Sequence, residues 1–232
     1  MTYPRRLDGE LLDHLPTDDP RAIRSRRDLR LCNVLMFQST IMARLLFRHC
    51  ARPPATMVDI GTGDGRAALA VARRLSRHWH GVKLTLVDRQ NLVSDDTVAA
   101  FSRLGWTVER SSAEIFDFLS RGTQFDVMTA NLFLHHFSDE HLGHLLKMAS
   151  GSTKVFVASE PRRDAAALFG CRLLPLLGCN EITRHDSVAS VRAGFRGREL
   201  SALWGQEGWA LFEHRAIPFS HCFAATSPRG GN

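Results

Sequence analysis

Two adjacent histidines, His135 and His136, follow the apolar run FDVMTANLFL (125–134). The composition of that run is typical of a buried strand. Histidine is only moderately compatible with a protein core, so a pair at this position needs either a partner or a function. An imidazole titrates at about pH 6.5 and could therefore remove a proton from a bound substrate. Glu160, which ends a later apolar run, could orient the imidazole or bind a substrate hydroxyl.

The histidine pair also has a purely structural interpretation. One of the two could simply pack in the core or cap the helix that is predicted to start near Ser138. The catalytic and the structural interpretations carry similar weight. If one histidine is a base, His136 is slightly favoured over His135, but the residue types alone do not decide between them.

A glycine-rich loop, DIGTGDG (59–65), directly follows the apolar segment TMVDI. A strand, a glycine loop and a helix in this order present backbone N–H groups and a helix N-terminus to a ligand. Gly61, Gly63 and Gly65 allow tight turns and close approach of that ligand. Asp88 ends the next apolar segment, where a carboxylate can accept both hydroxyls of a ribose. Each motif alone could be a simple turn or cap, but the two together predict a nucleoside-containing cofactor.

The spacing of the loop disfavours a nicotinamide dinucleotide. Fingerprints for that cofactor place the third glycine one position later than Gly65, where Arg66 stands here. The dinucleotide unit also usually opens its domain, whereas about 55 residues precede this loop.

A second polar cluster lies in TRHDSVASVRAGF (183–195). His185 and Asp186 could act as a base and the carboxylate that orients it. Neighbours in sequence rarely make that bond directly, so a structural role in a lid loop is the favoured interpretation. Arg184 and Arg192 could contact an anionic or phenolic oxygen of a substrate.

The sequence does not predict a metal site. The five cysteines are scattered and form no C-x-x-C pair, and the histidines show no metal-ligand spacing. The N-terminal residues do not have the pattern of a signal peptide, and no apolar run is long enough to span a membrane. We therefore expect a cytoplasmic enzyme.

Short apolar segments alternate with helical patterns between residues 56 and 160. Strands joined in this way by right-handed crossovers build a parallel, doubly wound sheet, and the whole chain is predicted to be α/β. The predicted strands are 56–60, 82–88, 106–111, 125–132 and 153–160. The predicted helices between them are 65–75, 91–105, 113–120 and 139–149.

The flanking regions follow different patterns. Apolar residues with helical spacing predict one helix over about 28–50, and residues 161–207 are mostly helical or irregular. Two closing strands, 209–216 and 219–226, are too close in sequence for a helical crossover and should form an antiparallel pair. The tail 227–232 is predicted to be disordered.

Several of these motifs are found together in one enzyme family. DIGTGDG, the terminal Asp88, the acidic Glu114 after the third strand and NLFLHHF after the fourth resemble a class I S-adenosylmethionine-dependent methyltransferase. The resemblance covers about residues 55–225. CNEITRHDSVASVRAGFRGRELSALW (179–204), with LVDRQ and SEPRR, is similar to bacterial small-molecule methyltransferases associated with type III polyketide synthases and with phenolic-lipid or quinone pathways.

The resemblance implies a Rossmann-like sheet of seven strands in the order 3-2-1-4-5-7-6, with strand 7 antiparallel. Residues 1–54 would form a helical N-terminal lid, and residues 55–226 would form the methyltransferase domain. Within that domain, residues 161–207 would be an insertion that covers the substrate.

The resemblance also implies which residues bind the cofactor S-adenosylmethionine. Asp88 would bind its ribose, Arg89 would flank the adenosine, and Asn131 would lie in the loop after the fourth strand. Ala113 and Glu114 would lie at the adenine edge. The residues expected to hold the methionine part are Asp59, Gly61, Thr62, Gly63 and Gly65.

The expected reaction is O-methylation of a small phenolic or polyketide-derived acceptor, with a histidine as general base. Two alternatives stay open, namely C-methylation of a quinol-type ring and a protein that binds the cofactor without catalysis. The net charge of +6 is spread over interleaved basic and acidic residues, and the arginine-rich stretch 21–30 is interpreted as a solvated helix face. No nucleic-acid partner and no integral membrane association are therefore expected, and the chain should be a monomer or a homodimer.

Overall fold

The computed structural model describes residues 4–228, so residues 229–232 of the predicted disordered tail lie outside it. Seven strands in this range form one sheet in the order β3-β2-β1-β4-β5-β7-β6. All neighbouring pairs are parallel except those made by β7, which is antiparallel to both β5 and β6. The predicted fold class and strand order are confirmed. The strands are β1 (Thr56–Ile60), β2 (Lys83–Asp88), β3 (Thr107–Ser112), β4 (Phe125–Asn131), β5 (Thr153–Pro161), β6 (Ala210–Ala216) and β7 (Ser220–Thr226).

The α-helices of the described range are distributed over both faces of the sheet and over the segments that flank it. They are α1 (Pro20–Leu35), α2 (Gln38–His49), α3 (Arg66–Leu75), α4 (Asp95–Ser102), α5 (Ile115–Ser120), α6 (Asp139–Ser152), α7 (Ala165–Cys171), α8 (Glu181–Ala193) and α9 (Glu199–Trp204). Two short 3-10 helices, Leu11–His14 and Leu174–Leu177, lie in the flanking segments, and a third, Leu134–His136, follows β4.

The single helix predicted over 28–50 is wrong, because the chain breaks at Met36 and Phe37 into α1 and α2. Phe37 adopts a left-handed conformation with φ of 55°. The break lets α2 bury Ile41, Met42 and Leu46 under the sheet. In contrast, Ala22 and Ser25 are the buried residues of α1. The apolar residues of the first half, Leu31, Val34 and Leu35, are exposed, whereas those named in α2 are buried.

The core has two layers, one on each face of the sheet. On one face, α2, α3 and α4 pack on the strands through residues such as Leu46, Leu75 and Phe101. On the other face, α5, α6 and α9 do so through Leu146 and Trp204. Both α2 and α9 are therefore core helices, although they lie in the segments 1–54 and 161–207 that were expected to form lids.

The remaining parts of those two segments cover the carboxyl ends of the strands. The stretch before α1 is held to α8 by backbone and side-chain bonds. The carboxylate of Asp186 accepts the N–H groups of Leu11 (2.8 Å) and Leu12 (2.9 Å). The Arg5 guanidinium donates to the carbonyl oxygens of Ala193 (2.7 Å) and Phe137 (2.8 Å). The N-terminal segment is thereby fixed over the end of β4.

Candidate active site

A cavity of about 880 Å³ opens at the carboxyl ends of β1, β2 and β4. In a doubly wound sheet, ligands bind where the strand order reverses, which here is between β1 and β4. The N-terminal segment, α1 and the stretch from α7 to α8 form its roof. The predicted site residues that line it are Gly61, Thr62, Gly63, Asp88, Arg89, Ala113, Glu114, Asn131, His135 and His136.

The glycine loop has the close approaches that its composition predicts. Gly61 (φ +68°) donates its N–H to the Val87 carbonyl oxygen at 2.9 Å, and a Cβ on Gly61 would lie 2.1 Å from the Phe133 ring. Gly63 (φ +57°) faces open space on the side where a side chain would stand. Gly65 lies outside the cavity lining, and its missing side chain lets Leu86 and Val93 pack against α3. The space that a ligand could occupy beside the loop therefore lies at Gly63.

Asp88 links the glycine loop to the end of β2. Its Oδ2 accepts the Gly63 N–H at 2.8 Å, and its Oδ1 accepts the Gln90 N–H at 2.9 Å. Because each carboxylate oxygen can accept a further hydrogen bond, the fixed group can still bind a pair of hydroxyls. Arg89 pairs with Asp13 of the N-terminal segment at 3.0 Å. This edge of the cavity is therefore formed by both the end of β2 and the N-terminal segment.

Asn131 and Asp59 lie deeper, at the boundary with a smaller pocket of about 240 Å³. The Asn131 Oδ1 is buried and has no hydrogen-bond partner among the described residues, which is expected where a ligand supplies the donor. Asp59 lines only the smaller pocket and accepts a bond from the Thr129 hydroxyl at 2.6 Å. Burial raises the pKa of Asp59 to about 6. Leu132, which follows Asn131, has a positive φ of 54°. This strained conformation often marks functional sites.

Glu160 is fully buried at the end of β5 and holds the loop after β4. Its carboxylate accepts the backbone N–H groups of Phe133 (3.0 Å) and Leu134 (2.9 Å). It also contacts His135 Nδ1 at 2.7 Å. These bonds lie below the cavity surface, and Glu160 does not line the cavity. Glu160 holds the imidazole of His135, and its role in orienting a catalytic base stays a prediction.

His135 lies between two carboxylates. Its Nδ1 faces Glu160, and its Nε2 lies 3.4 Å from Oε1 of Glu10, which also accepts a hydrogen bond from Ser190 of α8. Burial alone would lower the pKa of His135, but the two carboxylates raise it to about 9. Burial alone would raise the pKa of Glu10, but bonding to His135 lowers it to about 2. His135 is therefore a buried cation at neutral pH.

His136 faces the cavity, and its pKa is shifted in the opposite direction from that of His135. Desolvation of its partly covered ring, whose side chain is 31% exposed, and the adjacent His135 cation lower its pKa below the ordinary value of 6.5. The two rings lie close, with centroids 4.3 Å apart. The Oδ2 of Asp13 lies 3.9 Å from Nδ1 of His136, which is too far for a direct hydrogen bond. His136 is therefore neutral at pH 7 and can accept a proton.

Glu10, His135 and His136 also offer three metal-ligand atoms within 4.8 Å of one another. The sequence could not indicate this cluster, because Glu10 lies far from the histidines along the chain. A cation there would have to displace the proton of His135, whose pKa is raised to about 9. At neutral pH the contacts are those of an ion pair.

Arg184, His185 and Arg192 lie on α8 and are exposed, away from the cavity lining. His185 Nδ1 and Asp186 Oδ1 are 2.9 Å apart, so these neighbours do bond directly. Asp186 at the same time accepts the two N–H groups of the N-terminal segment, which gives the pair the structural role that was favoured. Arg192 pairs with Asp8 at 3.3 Å. The structure therefore does not bring these three residues to His135 and His136.

Several residues of the site were not singled out from the sequence. Glu10 and Asp13 have no local motif, and only the chain path brings them to the histidines. Arg26 and Arg30 of α1 line the cavity, so the arginine-rich stretch is only partly a solvated face. The one signal in the sequence was the spacing of Arg26 and Arg30, which are four residues apart and so share one face of a helix.

The fold is similar to that of several solved methyltransferases. The plantazolicin methyltransferase BpumL, solved in complex with SAH, is 16% identical, with a TM-score of 0.62 over 90% of this chain and 91% of that chain. The S-adenosylmethionine-dependent methyltransferase SibL is 17% identical, with a TM-score of 0.66, and the match covers 98% of this chain and 64% of SibL.

An O-methyltransferase family protein from Burkholderia thailandensis is 18% identical, with a TM-score of 0.62 over 91% of this chain and 61% of that chain. No protein-family model matches the sequence, and no curated protein is similar to it. At these identities the comparisons show the fold alone.

Proposed function

We propose that this protein transfers a methyl group from S-adenosylmethionine to a hydroxyl of a small aromatic acceptor. The observation that carries the proposal is that Gly63, Asp88, Asn131 and a neutral His136 line one cavity at the switch point of the sheet. The solved neighbour with bound SAH supports the choice of cofactor. The fold is also that of SibL, which is named as an S-adenosylmethionine-dependent methyltransferase.

The residues around the glycine loop fit this cofactor. The fixed carboxylate of Asp88 would accept the ribose hydroxyls, and the open space at Gly63 would take the chain that joins ribose to methionine. Asn131 Oδ1, which has no partner among residues 4–228, would accept a hydrogen bond from the ligand. Ala113 and Glu114 would border the base. When bound, S-adenosylmethionine supplies an electrophilic methyl carbon.

His136 would activate the acceptor. A phenol has a pKa of about 10, so its oxygen becomes a better nucleophile when a base takes the proton. The neutral imidazole would take the hydroxyl proton, the acceptor oxygen would take the methyl group that bound S-adenosylmethionine supplies, and S-adenosylhomocysteine would be the neutral leaving group. His135 and Glu160 would act only through His136, by holding the loop and by keeping that imidazole unprotonated.

The cavity wall supports an apolar acceptor. Leu29, Met36, Phe137 and Leu174 line it, together with other apolar residues of α1 and of the stretch after α7. Such a wall favours an aromatic or polyketide-derived molecule over a charged metabolite. C-methylation of a quinol ring would use the same base, and the product distinguishes the two reactions, because an ether is formed only by O-methylation.

Two measurements test this function. Calorimetric titration of S-adenosylhomocysteine should show binding that Asp88→Ala abolishes and that NAD does not compete with. Labelled methyl transfer to a panel of phenols should then give a product that ether cleavage converts back to the phenol. A folded protein that binds no S-adenosylhomocysteine would rule out the function, and a product stable to ether cleavage would assign C-methylation.

A further inference from the structure

The cavity mouth is bordered by apolar side chains that are also exposed. Four leucines both line the cavity and are exposed to solvent by two fifths or more of their area. They are Leu7 (46%), Leu35 (46%), Leu173 (42%) and Leu177 (46%). They come from the N-terminal segment, the end of α1 and the stretch around the 3-10 helix Leu174–Leu177. The mouth therefore opens onto an apolar surface built by three separate parts of the chain.

Leu176, in the same 3-10 helix, is 83% exposed and does not line the cavity. We call the set of Leu7, Leu35, Leu173, Leu176 and Leu177 the mouth patch. Exposing so many leucines beside one opening is unfavourable in water, and such patches usually mark interaction sites. Something apolar is therefore expected to cover the mouth patch when the protein works.

Exposed arginines lie on the elements that carry the mouth patch and on α8, which follows it. Arg24 and Arg27 are exposed on α1, and Arg24 donates to the Gly178 carbonyl oxygen at 3.0 Å, directly after the 3-10 helix. Arg172 precedes Leu173, and Arg184 is exposed on the first turns of α8. Nearby carboxylates offset part of this charge, and one of them is Asp8, which follows Leu7 and pairs with Arg192 at 3.3 Å. Asp28 accepts the Asn180 N–H at 2.8 Å, and Glu181 lies at the start of α8.

We propose that the mouth patch docks on an anionic lipid surface, from which an acceptor with an alkyl chain enters the cavity. Leucines would enter the acyl boundary, while these exposed arginines would meet the anionic headgroups. No helix in residues 4–228 is long and apolar enough to cross a membrane. The entry of an alkylated acceptor rests on the proposed function, but the docking does not.

A second copy of the chain fits this surface less well. A symmetric contact would place the same patch on both subunits, so the arginines of one mouth would face those of the other. Like charges juxtaposed in an interface are destabilising. An anionic lipid surface complements both the leucines and the arginines.

The first test is sedimentation of the full chain with vesicles of equal parts phosphatidylcholine and phosphatidylglycerol. Binding is expected, and Leu176→Asp should reduce the partition coefficient about tenfold or more, because the side chain leaves the acyl boundary. Phe47→Asp is the matched control, since Phe47 is 44% exposed and packs beside His78 and Trp79 before the start of β2, at the opposite end of the sheet from the cavity. Equal loss in both variants, or no binding by the wild type, would overturn the proposal.

The second test changes charge. Arg27→Glu should weaken binding about fivefold or more, and pure phosphatidylcholine vesicles should bind far less than the mixture. Arg103→Glu, an exposed position after α4, should leave binding unchanged. A concentration-dependent dimer that Leu176→Asp dissociates, with no vesicle binding, would assign the patch to a second copy. Binding of S-adenosylhomocysteine by Leu176→Asp should match the wild type, which keeps this test separate from that of the proposed function.

Discussion

At the scale of single residues, two neighbouring histidines differ in protonation. His135 is clamped by Glu10 and Glu160 and stays protonated, whereas His136 borders the cavity and is neutral. The buried cation disfavours a second positive charge beside it. The contacts of His135 fit the structural interpretation of the pair, and the catalytic interpretation stays a proposal for His136.

Replacing His136 by alanine should lower turnover about 10²- to 10⁴-fold, because the acceptor proton would lose its base. Affinity for S-adenosylhomocysteine should stay unchanged. Turnover on a phenol panel and calorimetry check the two statements, with His80→Ala, an exposed histidine outside the cavity lining, as the control. Wild-type turnover in the His136 variant would remove its assignment as base.

The charge of His135 should make stability depend on pH. Its folded pKa is raised from 6.5 to about 9, so the stabilisation is fully present below pH 6.5 and is lost as pH rises through about 9. Thermal unfolding of the wild type between those values should therefore show a falling melting temperature. His135→Gln should start lower and show a flatter dependence over that window. Parallel curves for the two proteins would contradict this account of His135.

At the scale of elements, the glycine loop and the loop after β4 are packed on each other. Gly61→Ala would place a methyl group 2.1 Å from the Phe133 ring at a positive φ. We expect a loss of about 1–3 kcal/mol in unfolding free energy and weaker binding of S-adenosylhomocysteine. Gly143→Ala on α6, where a Cβ meets nothing within 4 Å, should instead stabilise by up to about 1 kcal/mol. Denaturant unfolding measures both, and an unaffected Gly61 variant would refute the proposed close contact.

The sequence predicted the elements well where burial alone decides them. TMVDI coincides with β1 because a strand covered on both faces is mostly apolar. The break at Met36 and Phe37 could not be predicted, since it depends on which surface each half of the stretch buries. In the same way, Asp88 was found because it belongs to the strand next to the glycine loop, whereas Glu10 reaches the site only through the path of the folded chain.

At the scale of the whole molecule, the cavity joins the sheet, the N-terminal segment and the roof from α7 to α8. A ligand that contacts all three should stabilise the chain as a unit. At about 100 times its dissociation constant, S-adenosylhomocysteine should add about 2.7 kcal/mol, which corresponds to about 5–10 °C in melting temperature. Scanning calorimetry measures the shift, with NAD as the comparison. An equal shift with NAD would argue for a different cofactor.

The link between Glu10 and His135 also bears on the kinetics of the proposed reaction. The segment that carries Glu10 covers the cavity and is tied to α8 through Asp186 and Ser190. If products leave by displacing this segment, a buried ion pair must break in every cycle. Release of S-adenosylhomocysteine would then limit the rate of repeated turnover, and methyl transfer itself would be faster. A burst of product in the first turnover would precede the steady state.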